Sequence, residues 1–336
     1  MYISSIVRHS PLQIEAPGFD GAMSISYDPR DSNLAMVRLF KEAPEGGLRP
    51  SVTVEISRDR QNVWRPTNRQ IEAPKIAEGV DSAVEDPTIF YIGDVRFVAF
   101  TNVVKPIGAT PYAKDFPEDK HHWHCAELWV CPYPDSGPVG HDAHPMIEFG
   151  GLRHQGIPLN NIKEVEVMPQ AQTGGEHCCF FEAGGADYPS QIRAGDLDPS
   201  SMTITMAGEW LKPGNHHWAH THSSPGPIVD LGNNYYLMFA NGKSWLPEVL
   251  RTDSEQAVWN VGGVAFYLYP EDERPEIESA ELLIPPEAGS KATYNRQLIR
   301  VSGGAIVLVN SDNFMQVELA VHDDQQIFPY LIDIAY

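Results

Sequence analysis

The chain has 336 residues, with 45 Asp plus Glu against 24 Lys plus Arg, and its formal net charge is -21. This charge excludes nucleic acid as a partner, because a phosphate backbone is bound by a basic face, and it argues against an anionic membrane in the same way. No apolar run reaches the roughly 20 residues of a spanning helix, and residues 1–20 lack the apolar core of a signal peptide. We therefore expect a soluble, cytoplasmic protein.

Short strands and turns are indicated along the whole chain. The 28 Pro and 27 Gly are spread throughout, and no segment of a dozen residues keeps a helical period without one of them. The stretches "SVTVEISR" and "SMTITMAGEW" instead alternate as strands do. The four cysteines do not predict a disulfide framework, because Cys178 and Cys179 are neighbours on one predicted strand and point to opposite faces. We expect free thiols in a reducing compartment.

A recurring unit organises the sequence: a small or acidic turn leads into an apolar strand, a short turn and a second strand. Its five copies begin at Phe19, Val84, Ile162, Ser223 and Val301. Radial repetition of small sheets limits the exposed edges of a long all-β chain, so the repeat predicts a five-bladed β-propeller forming one domain over residues 1–336. The alternative is a pair of β-sandwiches divided near residue 150, in the Gly-rich "EFGGLRHQG".

The second copy, "SAVEDPTIFYIGDVRFVAFTN", predicts a β-hairpin. Gly93 and Asp94 supply the positive backbone angles of a two-residue turn between two apolar strands. Pro87 fits the first residue of the first strand, since it cannot donate to a sheet, and it restrains Asp86 to an extended backbone. An Asp-Pro pair is also typical of an ordinary turn.

Charged residues precede the inner strands of several copies. Glu85 and Asp86 stand before one inner strand, Asp20 before another, and Lys163 at a third. Because the inner strands of a propeller line one channel, we expect these residues to meet at one mouth of it. Carboxylates gathered across a polar pocket suit cleavage of a glycosidic bond, and aromatic side chains suit the stacking of sugar rings, although large cores contain aromatics too.

The order of these motifs resembles that of glycoside hydrolase family 130, the β-mannoside phosphorylases and β-mannosidases with a five-bladed propeller, and more remotely families 43 and 32. The resemblance runs from about Phe19 to Asp323. The family's Phe-Asn-Pro-Gly-Ala, Glu-Asp-Pro-Arg and Lys-Asp-Val-x-Leu-Phe-Pro elements are similar to Phe19–Ala22, Glu85–Thr88 and "KEVEVMP" from Lys163. Its later elements are similar to "SPGPIVDLGNNYYLMFANG" and to the segment that ends in "ELLIPP".

The resemblance implies roles for individual residues. Asp86 would be the catalytic acid, which protonates the leaving oxygen through a sugar hydroxyl, and Asp20, Arg38, Glu85 and Lys163 would bind substrate. The implied substrate is a β-mannoside or similar oligosaccharide, cleaved with inversion and without a cofactor or metal. The sequence does not indicate the sugar, the linkage or the oligomeric state.

The chain departs from the family where the family holds phosphate. The sequence "CFFEAGG" replaces a His-Arg-Pro element, "FANG" replaces a Tyr-His-Gly element, and Thr88 stands in place of an Arg. A site without those cations would repel a dianion, so we expect water as the nucleophile and Glu182, near the missing Arg, as its general base. The alternative for Glu182 is an ordinary glutamate in a surface turn. The alternatives for the protein are a glycoside phosphorylase and a carbohydrate-binding propeller without catalysis.

Two histidine clusters, "HHWHC" at residues 121–125 and "HHWAHTH" at residues 216–222, have two interpretations. In the one we adopt, Trp218, His220 and His222 lie at the rim of the pocket and contact the sugar. In the other, His216, His220 and His222 converge on Zn²⁺ with help from the first cluster, but the clusters lack the regular paired spacing of structural zinc sites.

Overall fold

The structure, a computed structural model, describes residues 1–41, 51–74, 80–106, 126–147, 153–154, 157–158, 161–169, 178–184, 190–245, 257–269, 275–285, 301–323 and 325–336. Most of these residues lie in β-strands, and a short 3-10 turn spans His217–Ala219. In the part of the chain so described, no helix is long and apolar enough to cross a membrane.

The strands form the five blades of a propeller around a central channel, with the second and third blades joined in one continuous sheet. The chain opens with β1 (Tyr2–Arg8). The first blade follows as β2 (Gly21–Asp28), β3 (Asp31–Phe40), β4 (Ser51–Arg58) and β5 (Trp64–Gln70). The second blade contains β6 (Val80–Ile92), β7 (Val95–Pro106), β8 (Ala126–Pro132) and β9 (His144–Pro145). A small hairpin, β10 (Arg153–His154) and β11 (Ile157–Pro158), comes next.

The third blade contains β12 (Asn161–Val167), β13 (Cys178–Gly184), β14 (Gln191–Asp198) and β15 (Thr203–Leu211). The fourth contains β16 (His222–Ser224), β17 (Ile228–Gly232), β18 (Tyr235–Trp245), β19 (Ala257–Tyr267) and β20 (Glu276–Ile284). The fifth contains β21 (Val301–Ser311), β22 (Phe314–His322) and β23 (Ile327–Ala335).

The ring is closed by the two ends of the chain. Strand β1 pairs antiparallel with β23, with Ile6 opposite Ile332, so the N-terminal strand is the outermost strand of the fifth blade. The predicted five-bladed propeller is confirmed, and each predicted repeat supplies the inner hairpin of one blade. The alternative of two β-sandwiches is wrong, because residues on both sides of position 150 join one continuous sheet through the bridge between Asn161 and Ala126.

The core lies between neighbouring blades. Phe100 of the second blade packs in one cluster with Met36 of the first, and Leu237 of the fourth packs with Val317 of the fifth. Burial of each such side chain is worth about 1.5–3 kcal/mol. This packing holds the inner strands side by side around the channel, and it also buries the side chains of Cys131 and Cys179.

Candidate active site

Each inner strand is interrupted at the same level of the channel. Ser24, Asp86 and Glu164 all have left-handed backbones, with φ of 48°, 46° and 44°, and each sits at a register shift of its strand. In the fourth blade the segment 225–227 separates β16 from β17, and in the fifth the register shifts at Gly303. These five interruptions line one small cavity of about 30 Å³ on the channel.

The backbone at Asp86 differs from the sequence-based expectation. Strand β6 begins at Val80, so the acid lies within the strand rather than before it, and its backbone is left-handed rather than extended. The reason is the β-bulge, which places two unpaired residues, Asp86 and Pro87, between the paired residues Glu85 and Thr88. Pro87 is tolerated there because no ladder hydrogen bond is required of it. Such backbones cost of order 1–3 kcal/mol for a residue other than glycine and concentrate at functional sites.

Asp86 is placed to hold a proton. Burial raises the pKa of its carboxyl, and the neighbouring Glu85 carboxylate raises it further. Arg38, Lys163 and a hydrogen bond with the Ser24 side chain lower the pKa but offset only part of that rise. A carboxyl group that keeps its proton in a pocket is what general acid catalysis needs.

Glu164 is a second acid at this site, half-buried and not among the predicted site residues. Burial raises its pKa well above the usual value, and the charges of Asp86 and Glu182 raise it further. Its backbone N–H donates to Thr101 Oγ1 of the second blade at 3.2 Å, which ties the bulge to the neighbouring sheet. The signal was present, because Glu164 stands where the family's Lys-Asp-Val element has its Asp.

Two cations from different blades face these acids. Arg38 Nη2 lies 2.7 Å from Glu85 Oε1, and Arg38 Nε donates to Ser51 Oγ at 3.0 Å. Lys163 is the other: burial opposes its charge, but Glu182 and Asp86 outweigh burial and raise the lysine pKa. The structure therefore brings together four residues predicted from the sequence, namely Arg38, Glu85, Asp86 and Lys163.

Glu182 is ionised. It lies directly across the β12–β13 ladder from Lys163, it is 1% exposed, and its Oε2 is 3.1 Å from Nε2 of His222. Burial by itself would raise the pKa of Glu182, but His222 and Lys163 lower it to about 2. The sequence-based alternative of a surface-turn glutamate is wrong, since the side chain is buried within a strand.

Three neighbouring side chains of the fourth blade, those of His222, Trp259 and Lys243, lie on the Glu182 side of the site. The ring of Trp259 meets that of His222 edge-on at 4.6 Å, and the Lys243 ammonium lies 5.7 Å from the Trp259 ring centre. Burial lowers the pKa of Lys243, and the nearby Lys163 lowers it further. Lys243 follows the "FANG" sequence directly, so the site has a cation that the comparison of motifs did not foresee.

Three predicted substrate contacts lie elsewhere. Trp218 is 1% exposed and packs against Gly242 and Gly262, so the prediction that it contacts a sugar is wrong: no ring face is free. His220 is exposed at the end of the 3-10 turn. Asp20 is exposed as well and lines a separate cavity of about 150 Å³ with Phe19 and neighbouring residues.

The zinc hypothesis gains no support from the described residues, among which no three His, Cys, Asp or Glu side chains are grouped to hold a metal. His216 stacks on Trp218 at 6.0 Å, whereas His222 pairs with Glu182. The first histidine cluster, residues 121–125, lies outside the described residues.

The chain is similar to known proteins in structure but not in sequence. No protein-family model matches the chain, and no curated protein matches it in sequence. Among solved structures, the chain is similar to a β-1,2-mannobiose phosphorylase from Listeria innocua in complex with β-1,2-mannobiose, with a TM-score of 0.56 and 11% identity over 99% of this chain and 91% of that one.

Two proteins from Leishmania mexicana are also similar to the chain. For MPT-1, a GDP-Man-dependent mannosyltransferase, the TM-score is 0.61 at 10% identity over 99% of this chain and 91% of that one. For MPT-4, a mannose phosphorylase solved with a phosphate ion, the TM-score is 0.58 at 13% identity over 98% and 89%. At such identities the likeness establishes the five-bladed propeller fold of this chain and leaves its activity to be argued from the site.

Proposed function

We propose that the protein is a glycoside hydrolase that cleaves a β-mannoside or similar oligosaccharide, with Asp86 as proton donor. The observation that carries the proposal is a pair of carboxyl groups whose surroundings shift their pKa values in opposite directions, upward for Asp86 and downward for Glu182. Titratable pairs whose pKa values are pushed apart identify acid and base in many enzymes. The likeness to propellers that act on mannosides supports a sugar substrate.

In the proposed reaction, Asp86 gives its proton to the leaving glycosidic oxygen, directly or through a sugar hydroxyl. Water attacks the anomeric carbon from the opposite face and passes a proton to the carboxylate of Glu182, so the configuration inverts. Arg38 holds Glu85 by an ion pair, and the charge of Lys163 favours the ionised form of Glu182. Both cations can donate to sugar hydroxyls. The ring of Trp259, which contacts His222, is an aromatic surface beside this cluster and takes the role predicted for Trp218.

Phosphorolysis is a second candidate, and the position of Lys243 favours it. Lys243 lies close enough to Lys163 for their charges to repel. The ring of Trp259 lies between Lys243 and His222 and contacts both side chains. Such a cationic group could hold a phosphate dianion as the nucleophile, which is the opposite of the expectation drawn from the missing family residues.

The test is a panel of mannobioses and aryl glycosides, assayed with and without inorganic phosphate. Release of reducing sugar in phosphate-free buffer is expected; formation of a sugar phosphate only when phosphate is present would favour phosphorolysis. Binding without release would favour a carbohydrate-binding propeller without catalysis.

We expect Asp86→Asn to lower the turnover number roughly 10²- to 10⁴-fold, because the amide cannot donate a proton to the leaving oxygen. Asp94→Asn is the matched control, since Asp94 lies fully exposed in a hairpin turn. Turnover by Asp86→Asn at the wild-type rate would refute the assigned acid.

A further inference from the structure

The channel continues past Asp86 towards the opposite end of the propeller. Beyond the small cavity lies a second one of about 700 Å³, lined by residues that follow the interruptions on the inner strands, such as Phe90, Asp230 and Ile306. Three residues line both cavities: Thr88, Glu166 and Gly303. Only Glu166 among these three carries a titratable group, so it stands between the two acids and the far cavity.

The surroundings of Glu166 keep it neutral near physiological pH. It lies across the β12–β13 ladder from Phe180, whose ring packs against Trp210 at 4.4 Å and Phe266 at 5.4 Å. Burial beside these apolar groups raises the pKa of Glu166 to about 8, and no charge or hydrogen bond from the described residues offsets that rise. A carboxyl with such a pKa exchanges its proton readily at neutral pH.

The other ionisable groups around Glu166 do not connect the two cavities. Asp86, Glu164 and His322 line the small one, and Asp28, Arg30 and Asp230 line the large one. The large-cavity groups are already engaged. Asp28 accepts from Arg96 at 2.9 Å, Arg30 donates to the backbone oxygen of Gly93, and Asp230 accepts from the Gly232 amide at 2.7 Å.

Inverting cleavage leaves the catalytic acid, Asp86, without its proton. Each turnover moves the proton of Asp86 to the leaving oxygen and deposits a proton from water on the base, so Asp86 must regain a proton before it can act again. The small cavity, of about 30 Å³, is the size of one water molecule and has carboxyl groups to hydrogen-bond it.

We propose that Glu166 is a proton-relay residue that recharges Asp86 from solvent in the far cavity. The Glu166 carboxyl gives its proton to a water in the small cavity, that water gives another proton to the Asp86 carboxylate, and Glu166 then takes a proton from water in the large cavity. The inference rests on the proposed hydrolysis. It assigns to the large cavity a function in turnover.

The test is pre-steady-state kinetics of Glu166→Gln, which keeps the shape of the side chain and removes its proton exchange. We expect the first turnover at the wild-type rate, because it precedes any recharging of Asp86, and later turnovers at least ~10-fold slower. The time course would show a burst of one product per enzyme, whereas the wild type and an exposed control, Glu281→Gln, would be linear. Glu166→Asp, which retains a carboxyl, should restore part of the later rate.

A linear time course for Glu166→Gln at the wild-type rate would overturn the relay while leaving the proposed hydrolysis intact. A panel on which no glycoside is cleaved would defeat the hydrolysis and, with it, the relay. Carbon-13 NMR of glutamate carboxyls supplies a readout that needs no substrate. We expect one signal that titrates near pH 8, disappears in Glu166→Gln and shifts in Asp86→Asn; absence of any such signal would also overturn the relay.

Discussion

At the scale of single residues, the candidate site depends on environments that separate chemically similar groups. Asp86 and Glu164 are half-buried and Glu182 is buried, and of the three only Glu182 has both a histidine and a lysine beside it. Burial alone favours the protonated form, and a nearby cation favours the charged form. Cations lie near both Asp86 and Glu182, so the balance of all neighbouring charges against burial decides which acid is suited to donate a proton and which to accept one.

The Glu182 pKa has a consequence for stability. The folded pKa of about 2 lies below the usual glutamate value of 4.5, so its contribution to stability is present above pH 4.5 and is lost as pH falls towards 2. The shift corresponds to a contribution on the order of 3 kcal/mol. Glu182→Gln should lower the free energy of unfolding by that order at pH 7, and the difference from wild type should shrink below pH 4.5.

Denaturant unfolding at a series of pH values measures this difference, with Glu281→Gln as the exposed control. A deficit that stays constant from pH 6 to pH 2.5 would mean that Glu182 contributes through packing rather than through charge.

At the scale of elements, bulges and breaks in the inner strands determine which side chains reach the candidate site. A regular strand would turn successive side chains to alternate faces of the blade, whereas a bulge re-aims one side chain and bends the strand. Ser24, Asp86 and Glu164 occupy this position in the first three blades. The sequence marks the bulge of β6 through Pro87. A motif pointed to the acid at Glu164 but not to its bulge, because a strand in which charged residues alternate with Val is equally compatible with regular pairing.

The fourth blade shows a different constraint, in which two glycines accommodate Trp218. A Cβ at Gly262 would lie 2.5 Å from Cζ2 of the Trp218 ring, and one at Gly242 would also overlap that ring. We expect Gly262→Ala to destabilise the protein by about 1–3 kcal/mol through overpacking. The cost should fall in a Trp218→Phe background, where the smaller ring leaves room.

Urea unfolding of the two single variants and the double variant forms a cycle that isolates this contact. Equal costs of Gly262→Ala in both backgrounds would show that the destabilisation has another origin.

At the scale of the whole molecule, closure of the ring depends on β1. Its side chains Ile3 and Ile6 pack against the cluster shared by the fourth and fifth blades, and its backbone covers the edge of β23. Removal of residues 1–8 should destabilise the protein by at least about 2 kcal/mol, from the lost burial of these two residues. It should also promote self-association through the uncovered edge strand.

Thermal unfolding and sedimentation of the truncated chain measure both effects. A synthetic peptide of residues 1–10 should restore the melting temperature by re-pairing with β23. A truncated protein that melts as the full chain does would show that β1 does not hold the ring closed.

The sequence by itself determined the architecture, because strand alternation, turn residues and a repeat are local patterns that radial packing of blades preserves. It also brought Glu85, Asp86 and Lys163 to attention, since each stands in a short motif on an inner strand.

Only the tertiary structure decided the chemistry of the site, because protonation and exposure depend on groups distant in sequence. Lys163 and His222, from two blades, ionise Glu182; glycines on two strands bury Trp218; and the junction of two cavities singles out Glu166. These effects arise from distances of a few ångströms across blades, which a linear pattern of residues does not encode.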